Sequence, residues 1–185
     1  MGVKFDQEEN RFVFDFEHDG NNDIIELTGS GYDVTAFGKC FYYGYEFGDH
    51  VDGAQRGAFI KHVKFSNELK GSTDLTRFIQ RAVDSLHHKV NLYNFDLVIM
   101  PDQLSRLTRY MILYLYRFAQ PVLMKFKEVK DMKECKSNIL VVDDITTSGS
   151  TLNEILRALR TLNEDNNITI FSLIRRKDLT VDSMD

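Results

Sequence analysis

Between residues 73 and 174, short apolar runs of strand composition alternate with longer stretches whose apolar residues recur every three or four positions. Few folds accept that alternation. Parallel strands need a crossover between neighbours, each crossover helix must bury its stripe, and strands lying between two helical layers must be apolar on both faces. A first helix is predicted to begin at Gly71-Ser72-Thr73-Asp74, with Ser72 or Thr73 as its cap and Asp74 in the first turn. Its buried face is Leu75, Phe78, Ile79, Ala82, Val83, Leu86 and Val90. Phe95–Met100 then reads as a strand and Leu104, Leu107, Met111, Leu115 and Phe118 as a helical stripe. Pro121–Met124 and Ile139–Val142 are two further strands. Leu152, Ile155, Leu156, Leu159 and Leu162 mark another helix, stopped by the polar run Asn163–Asn167, and Ile168–Ile174 is the last strand.

The beginning of the chain reads differently. Arg11–Phe16, Asp23–Leu27 and Phe41–Phe47 are aromatic or β-branched runs separated by Asn, Asp and Gly clusters, the pattern of short strands and turns. Ala58–Phe65 reads as a strand or a short helix. The expected fold class is therefore α/β, a parallel sheet with helices on both faces and a β-rich N-terminal appendage. Residues 1–55 are expected to form that β-rich segment, a hood or appendage, residues 56–178 the α/β core, and residues 179–185 a flexible tail.

A length of 185 residues suits one domain with a modest appendage, and an apolar fraction of 43% supplies a buried core and argues against disorder. The most apolar stretch, Tyr110–Ala119, is interrupted by Arg117 and too short to cross a bilayer, and Met1–Asp6 has no apolar run of the kind a signal peptide needs. A cytoplasmic protein without membrane partners is expected. Cys40 and Cys135 match no zinc spacing and read as reduced thiols, and the adjacent His87 and His88 read as a solvated surface. A net charge of −5 disfavours nucleic acid as the main partner. Positive charge is gathered locally at Lys125–Lys136 and Arg175–Lys177, which suits a small anionic ligand better than a long polyanion.

The chemistry lies in Ile139–Leu152. In an open parallel sheet, ligands collect at the carboxyl ends of the strands. Asp143 and Asp144 are expected to follow the strand Ile139–Val142 at such an end. Thr146-Thr147-Ser148-Gly149-Ser150-Thr151 then forms a loop of small and hydroxyl residues before the helix that begins near Leu152. Successive backbone N–H groups there can turn inward around a phosphate, helped by the positive end of the helix. Gly149 allows close approach, and Thr147, Ser148 and Thr151 offer hydroxyl donors. The two carboxylates suit two sugar hydroxyls, bound directly or through Mg2+. A phosphate and a diol at this separation describe a ribose 5-phosphate. The plainer reading is a helix cap preceded by an ordinary turn carboxylate, which accounts for either half alone but not for both in this order.

Val142-Asp143-Asp144-Ile145-Thr146-Thr147-Ser148-Gly149-Ser150-Thr151 resembles the signature for phosphoribosyl pyrophosphate (PRPP) in type I phosphoribosyltransferases. The resemblance extends more loosely over residues 56–175, where Ala58–Phe65 and Asp96–Pro101 are similar to the ComF branch, associated with competence for DNA uptake. It implies a type I phosphoribosyltransferase-like core. Asp143 and Asp144 would be the catalytic acids and the contacts to Mg2+, the implied cofactor. Thr146, Thr147, Ser148, Gly149, Ser150 and Thr151 would bind the 5-phosphate. By position, Pro101, Asp102, Gln103 and Ser105, with Arg106 and Arg109 on the following helix, would form the pyrophosphate loop. A plain strand–helix turn with solvated arginines accounts for that segment equally well. Lys125, Lys127, Lys130 and Lys133 read as surface lysines, with a closing loop over the pyrophosphate as the alternative. Arg175 and Arg176 follow the last strand towards the same edge.

The activity so implied is transfer of phosphoribose to a nitrogen acceptor, such as a nucleobase, with release of pyrophosphate. The partners are PRPP, an acceptor that no residue identifies, and a second copy of the chain in a homodimer. Two other readings stay open: a PRPP- or nucleotide-sensing protein without transfer chemistry, and a ComF-like component of DNA-uptake machinery. A phosphorylation-receiver domain shares the run Ile139–Asp144, but too little chain follows it for that fold.

Overall fold

A computed structural model describes residues 2–6, 8, 11–15, 24–26, 38–46, 73–133, 138–146 and 149–176. The apolar runs become strands: β1 (Gly2–Asp6), β2 (Arg11–Asp15), β3 (Ile25–Glu26), β4 (Lys39–Glu46), β5 (Leu97–Met100), β6 (Val122–Lys125), β7 (Asn138–Thr146) and β8 (Asn167–Arg176). The helical stripes become α1 (Thr73–Lys89), α2 (Arg106–Leu115), the single turn α3 (Phe126–Val129) and α4 (Ser150–Leu162). All eight strands form one sheet in the order β2-β1-β4-β8-β7-β5-β6, with β3 also paired to β4. The neighbours from β1 across to β6 run parallel, whereas β2 and β3 add antiparallel pairs.

Register sorts the core into two layers. Cys40, Ile170, Val141 and Ile99 lie side by side on β4, β8, β7 and β5. They belong to one buried cluster with Phe126 and Val129 of α3 and Leu152, Ile155, Leu156 and Leu159 of α4. The residues one step along, among them Val98, Leu140, Val142 and Phe171, pack on the opposite face against α1 and α2. Alternation along strands that are apolar on both faces gives the sheet its two helical coats. This is the α/β class expected from the alternation.

Strand β4 is a working part of that sheet. It runs parallel to β8 over Lys39–Glu46, and Tyr43, fully buried, meets Phe78 of α1 edge to face at 5.2 Å between ring centroids. A segment grouped by composition with the N-terminal strands thus contributes to the main core. The boundary expected near residue 55, the run Ala58–Phe65, the cap candidate Ser72, the thiol Cys135 and the tail 179–185 lie outside the described residues.

His87 departs from the solvated surface expected of it. Its ring stacks on Phe118 at 4.3 Å, and its Nδ1 accepts from the Leu92 N–H at 3.4 Å; His88 is exposed. Among the described residues, no helix is long and apolar enough to cross a membrane.

Candidate functional site

Chain order and sheet order together locate the crevice. From β5 the chain passes through α2 to β6 at the edge of the sheet, then returns past β5 to β7 and continues through α4 to β8. The two crossovers therefore leave in opposite directions from the adjacent strands β5 and β7. Loops that part in this way open a crevice at the carboxyl ends of the strands, the usual ligand site of such sheets. The segment Pro101–Ser105 leaves β5 at that end, and β7 ends at Thr146 on the neighbouring strand.

Strand β7 is longer than its apolar run. It continues through Asp143 and Asp144 to Thr146, so the paired acids lie within the strand and not in a loop after it. Successive side chains of a strand point to opposite faces, and the pair is split accordingly. Asp144 is only 1% exposed. Its Oδ1 accepts from the Ile145 N–H at 2.7 Å, and its Oδ2 accepts from Thr108 Oγ1, on α2, at 3.4 Å. Asp143 is half-buried and pairs in register with Ser172 of β8. Thr146 Oγ1 lies 3.5 Å from Asp143 Oδ2 and donates to Ser172 Oγ at 2.7 Å.

Beyond β7, Gly149 begins α4 in the left-handed region, at φ 72° and ψ 1°. A residue with a Cβ is strained in that conformation, so glycine here answers a backbone demand. Ser150 and Thr151 are exposed in the first turn of α4; Thr147 and Ser148 lie outside the described residues.

In the segment after β5, two of the expected ligand residues have structural partners. Ser105 is the buried N-cap of α2: its Oγ accepts from the Thr108 N–H at 3.2 Å and lies 3.1 Å from Thr108 Oγ1. Asp102 Oδ1 accepts from the Lys127 N–H at 2.9 Å, in the first turn of α3. Gln103 and Arg109 are exposed, whereas Pro101 and Arg106 are half-buried. The lysines expected on a loop or open surface are partly ordered by α3. Lys125 precedes it, Lys127 lies within it, and Lys130 pairs with Glu154 of α4 at 2.5 Å. Lys133 is exposed.

Arg175 does reach the same edge. It sits opposite Thr146 in the register, is 4% exposed, and its guanidinium lies 5.4 Å from the centroid of the Tyr42 ring. Thr108 and Ser172 were not singled out from the sequence. Each carried a signal: Thr108 is a polar residue beside Leu107 on a buried helical stripe, and Ser172 interrupts the apolar run Ile168–Ile174.

Among the described residues, no three His, Cys, Asp or Glu side chains converge as a metal cage. Asp143 is a half-buried carboxylate at the crevice, and one carboxylate together with ligand phosphates and water is a common way to hold Mg2+. An open cavity of about 480 Å³ lined by His87, His88, Asn91 and Tyr93 lies at the amino-terminal end of β5, the other end of the sheet.

Among the solved structures that resemble part of the chain are three phosphoribosyltransferases. Xanthine-guanine-hypoxanthine phosphoribosyltransferase from Helicobacter pylori is 19% identical with a TM-score of 0.41, over 56% of this chain and 72% of that one. The HGPRT-ase of Leishmania tarentolae, solved with GMP, is 13% identical with a TM-score of 0.37, over 54% and 64% of the two chains. The purine phosphoribosyltransferase of Pyrococcus horikoshii Ot3 is 17% identical with a TM-score of 0.37, over 54% and 82%. No protein-family model matches the chain, and no curated protein matches it.

Proposed function

We propose that the crevice between β5 and β7 binds PRPP with Mg2+, and that the protein transfers phosphoribose to a nitrogen acceptor such as a nucleobase, releasing pyrophosphate. The observation that carries this reading is the divergence of the adjacent strands β5 and β7, with Asp143 and Asp144 at the end of one and Pro101–Ser105 following the other. Thr146 to Thr151 bind the 5-phosphate through backbone N–H groups and hydroxyls around the left-handed turn at Gly149. Asp143 faces the ribose hydroxyls and carries the contact to Mg2+, while Asp144 acts from behind, within its buried network. Residues 101–105, with Arg106 and Arg109, receive the pyrophosphate.

In the transfer, the acceptor nitrogen attacks the anomeric carbon as the bond to pyrophosphate breaks. Pyrophosphate leaves with the electron pair, and configuration at the carbon inverts. The protein's own residues hold the ribose in line, place the Asp143 carboxylate where positive charge develops on the sugar, and keep water from the reacting carbon. Bound Mg2+ would neutralise the charge of the leaving pyrophosphate.

The test is pyrophosphate release from PRPP and Mg2+ over a panel of nucleobases. Turnover with one base supports the reading, and saturable PRPP binding without turnover on any base overturns the transferase. That second result is the signature of a PRPP sensor, a reading favoured by Ser105 capping α2 and Asp102 holding an N–H in the first turn of α3.

A further inference from the structure

We infer that Thr108 is a positioning residue for this site, the tie that sets the separation of its two halves; the inference rests on the PRPP reading above. Thr108 is fully buried on α2, one turn beyond the Pro101–Ser105 segment, and its hydroxyl reaches a carboxylate 36 residues later in the chain. The hydrogen bonds form a directed series. Ser105 Oγ accepts the Thr108 N–H, which leaves the Ser105 hydroxyl proton to point at Thr108 Oγ1 and the Thr108 proton to point at Asp144 Oδ2. Thr108 has one hydroxyl proton and gives it to Asp144, so the Ser105 hydroxyl donates to Thr108 and the series has one sense. It fastens the start of α2, and with it the loop after β5, to the strand that ends in the phosphate loop. The contact lies at the divergence of β5 and β7, where no backbone ladder beyond Ile99 and Val141 joins the two strand ends in the register.

A tie between the two halves affects a ligand that spans both more than one that occupies a single half. PRPP spans both; ribose 5-phosphate lacks the pyrophosphate and engages the β7–α4 half. Affinities for the two, with Mg2+ present, are compared by calorimetry in the wild type, Thr108→Val, Thr108→Ser, Asp144→Asn and the Thr108→Val/Asp144→Asn double variant. Thr108→Val is expected to weaken PRPP roughly tenfold, the scale of one lost hydrogen bond to a charged group, with ribose 5-phosphate nearly unchanged. Thr108→Ser restores PRPP binding, and the double variant loses no more than the worse single one.

Equal losses for both ligands, or additive losses in the double variant, overturn the inference. Should Thr108→Val not fold, Thr108→Ala carries the same comparison, and an equal loss of both ligands there has the same force. Wild-type protein that binds neither ligand overturns the PRPP reading itself, and this inference with it.

Discussion

Asp102 Oδ1 accepts a hydrogen bond from the backbone N–H of Lys127 at 2.9 Å, so an acid in the expected pyrophosphate loop serves the first turn of the neighbouring helix α3. Its carboxylate is exposed just after β5, where it would oppose an anionic ligand. Asp102→Asn keeps an oxygen for Lys127 and removes the charge. PRPP affinity is expected to rise, and more so at low salt, because screening weakens exposed charges. Asp102→Ala also removes that hydrogen bond and is expected to lower stability by about 1 kcal/mol. Calorimetric titration at two ionic strengths and urea unfolding check both, and weaker PRPP binding by Asp102→Asn would count against a pyrophosphate loop here.

Gly149 holds φ at 72°. Replacement by Val places a β-branched residue in the left-handed region, at a cost of about 1–2 kcal/mol. Gly149→Asn is expected to cost less, since Asn tolerates that conformation. Both should weaken PRPP, and unfolding midpoints should rank glycine, then asparagine, then valine. Equal midpoints for Asn and Val would show that the turn relaxes.

Asp143 and Asp144 should separate on mutation, because one is half-buried at the crevice and the other is 1% exposed. Asp143→Asn is expected to lower Mg2+-dependent PRPP affinity at least tenfold, with stability within about 0.5 kcal/mol of wild type. Asp144→Ala strips the acceptor from Thr108 and Ile145 and should destabilise the fold by about 1–3 kcal/mol. Unfolding curves and titrations on the two single variants decide the matter; a stable Asp144→Ala would refute the structural role.

Burial pushes the Cys40 thiol from its ordinary value of 9.0 up to about 12, with nearby Arg175 partly opposing the shift. Between those values the folded thiol keeps its proton while the unfolded one loses it. The unfolded state then binds fewer protons, so stability falls as pH rises, by up to about 1.4 kcal/mol per unit. The contribution is complete below pH 9.0 and is gone above about 12. Urea midpoints from pH 8 to 10 should fall more steeply in wild type than in Cys40→Ala, both carrying Cys135→Ser. Parallel slopes would mean that Cys40 ionises freely in the folded protein.

Tyr43 packs on Phe78 from a strand that lies beyond the alternating region. Tyr43→Ala is expected to cost about 3–5 kcal/mol, the range for emptying an aromatic site in a core. A change under 1 kcal/mol would place β4 outside the cooperative unit.

Local pattern reached a long way in this chain. Helical spacing at Leu75–Val90 and Leu152–Leu162 marked α1 and α4, because a stripe that must be buried leaves a period of 3.6 in the residues themselves. The order of acids, hydroxyl residues and glycine at Asp143–Thr151 marked the candidate site for the same reason: a phosphate loop at a strand–helix junction is local in the chain. Two things were not local. Polar residues ending an apolar run look like the end of a strand, yet β7 continues through Asp143 and Asp144, because β8 offers it a ladder of partners as far as Arg175. That extension turns two neighbouring carboxylates to opposite faces and gives them different surroundings. The place of β4 beside β8, and the approach of Thr108 to Asp144, likewise depend on strand order, which is settled by packing between residues far apart in the chain. The sequence by itself determined which segments are strands and helices and where phosphate chemistry would be sought. Only the tertiary structure decided which carboxylate is left half-buried and which is buried against a helix, since a side chain's partners across a sheet leave no period in the chain that carries it.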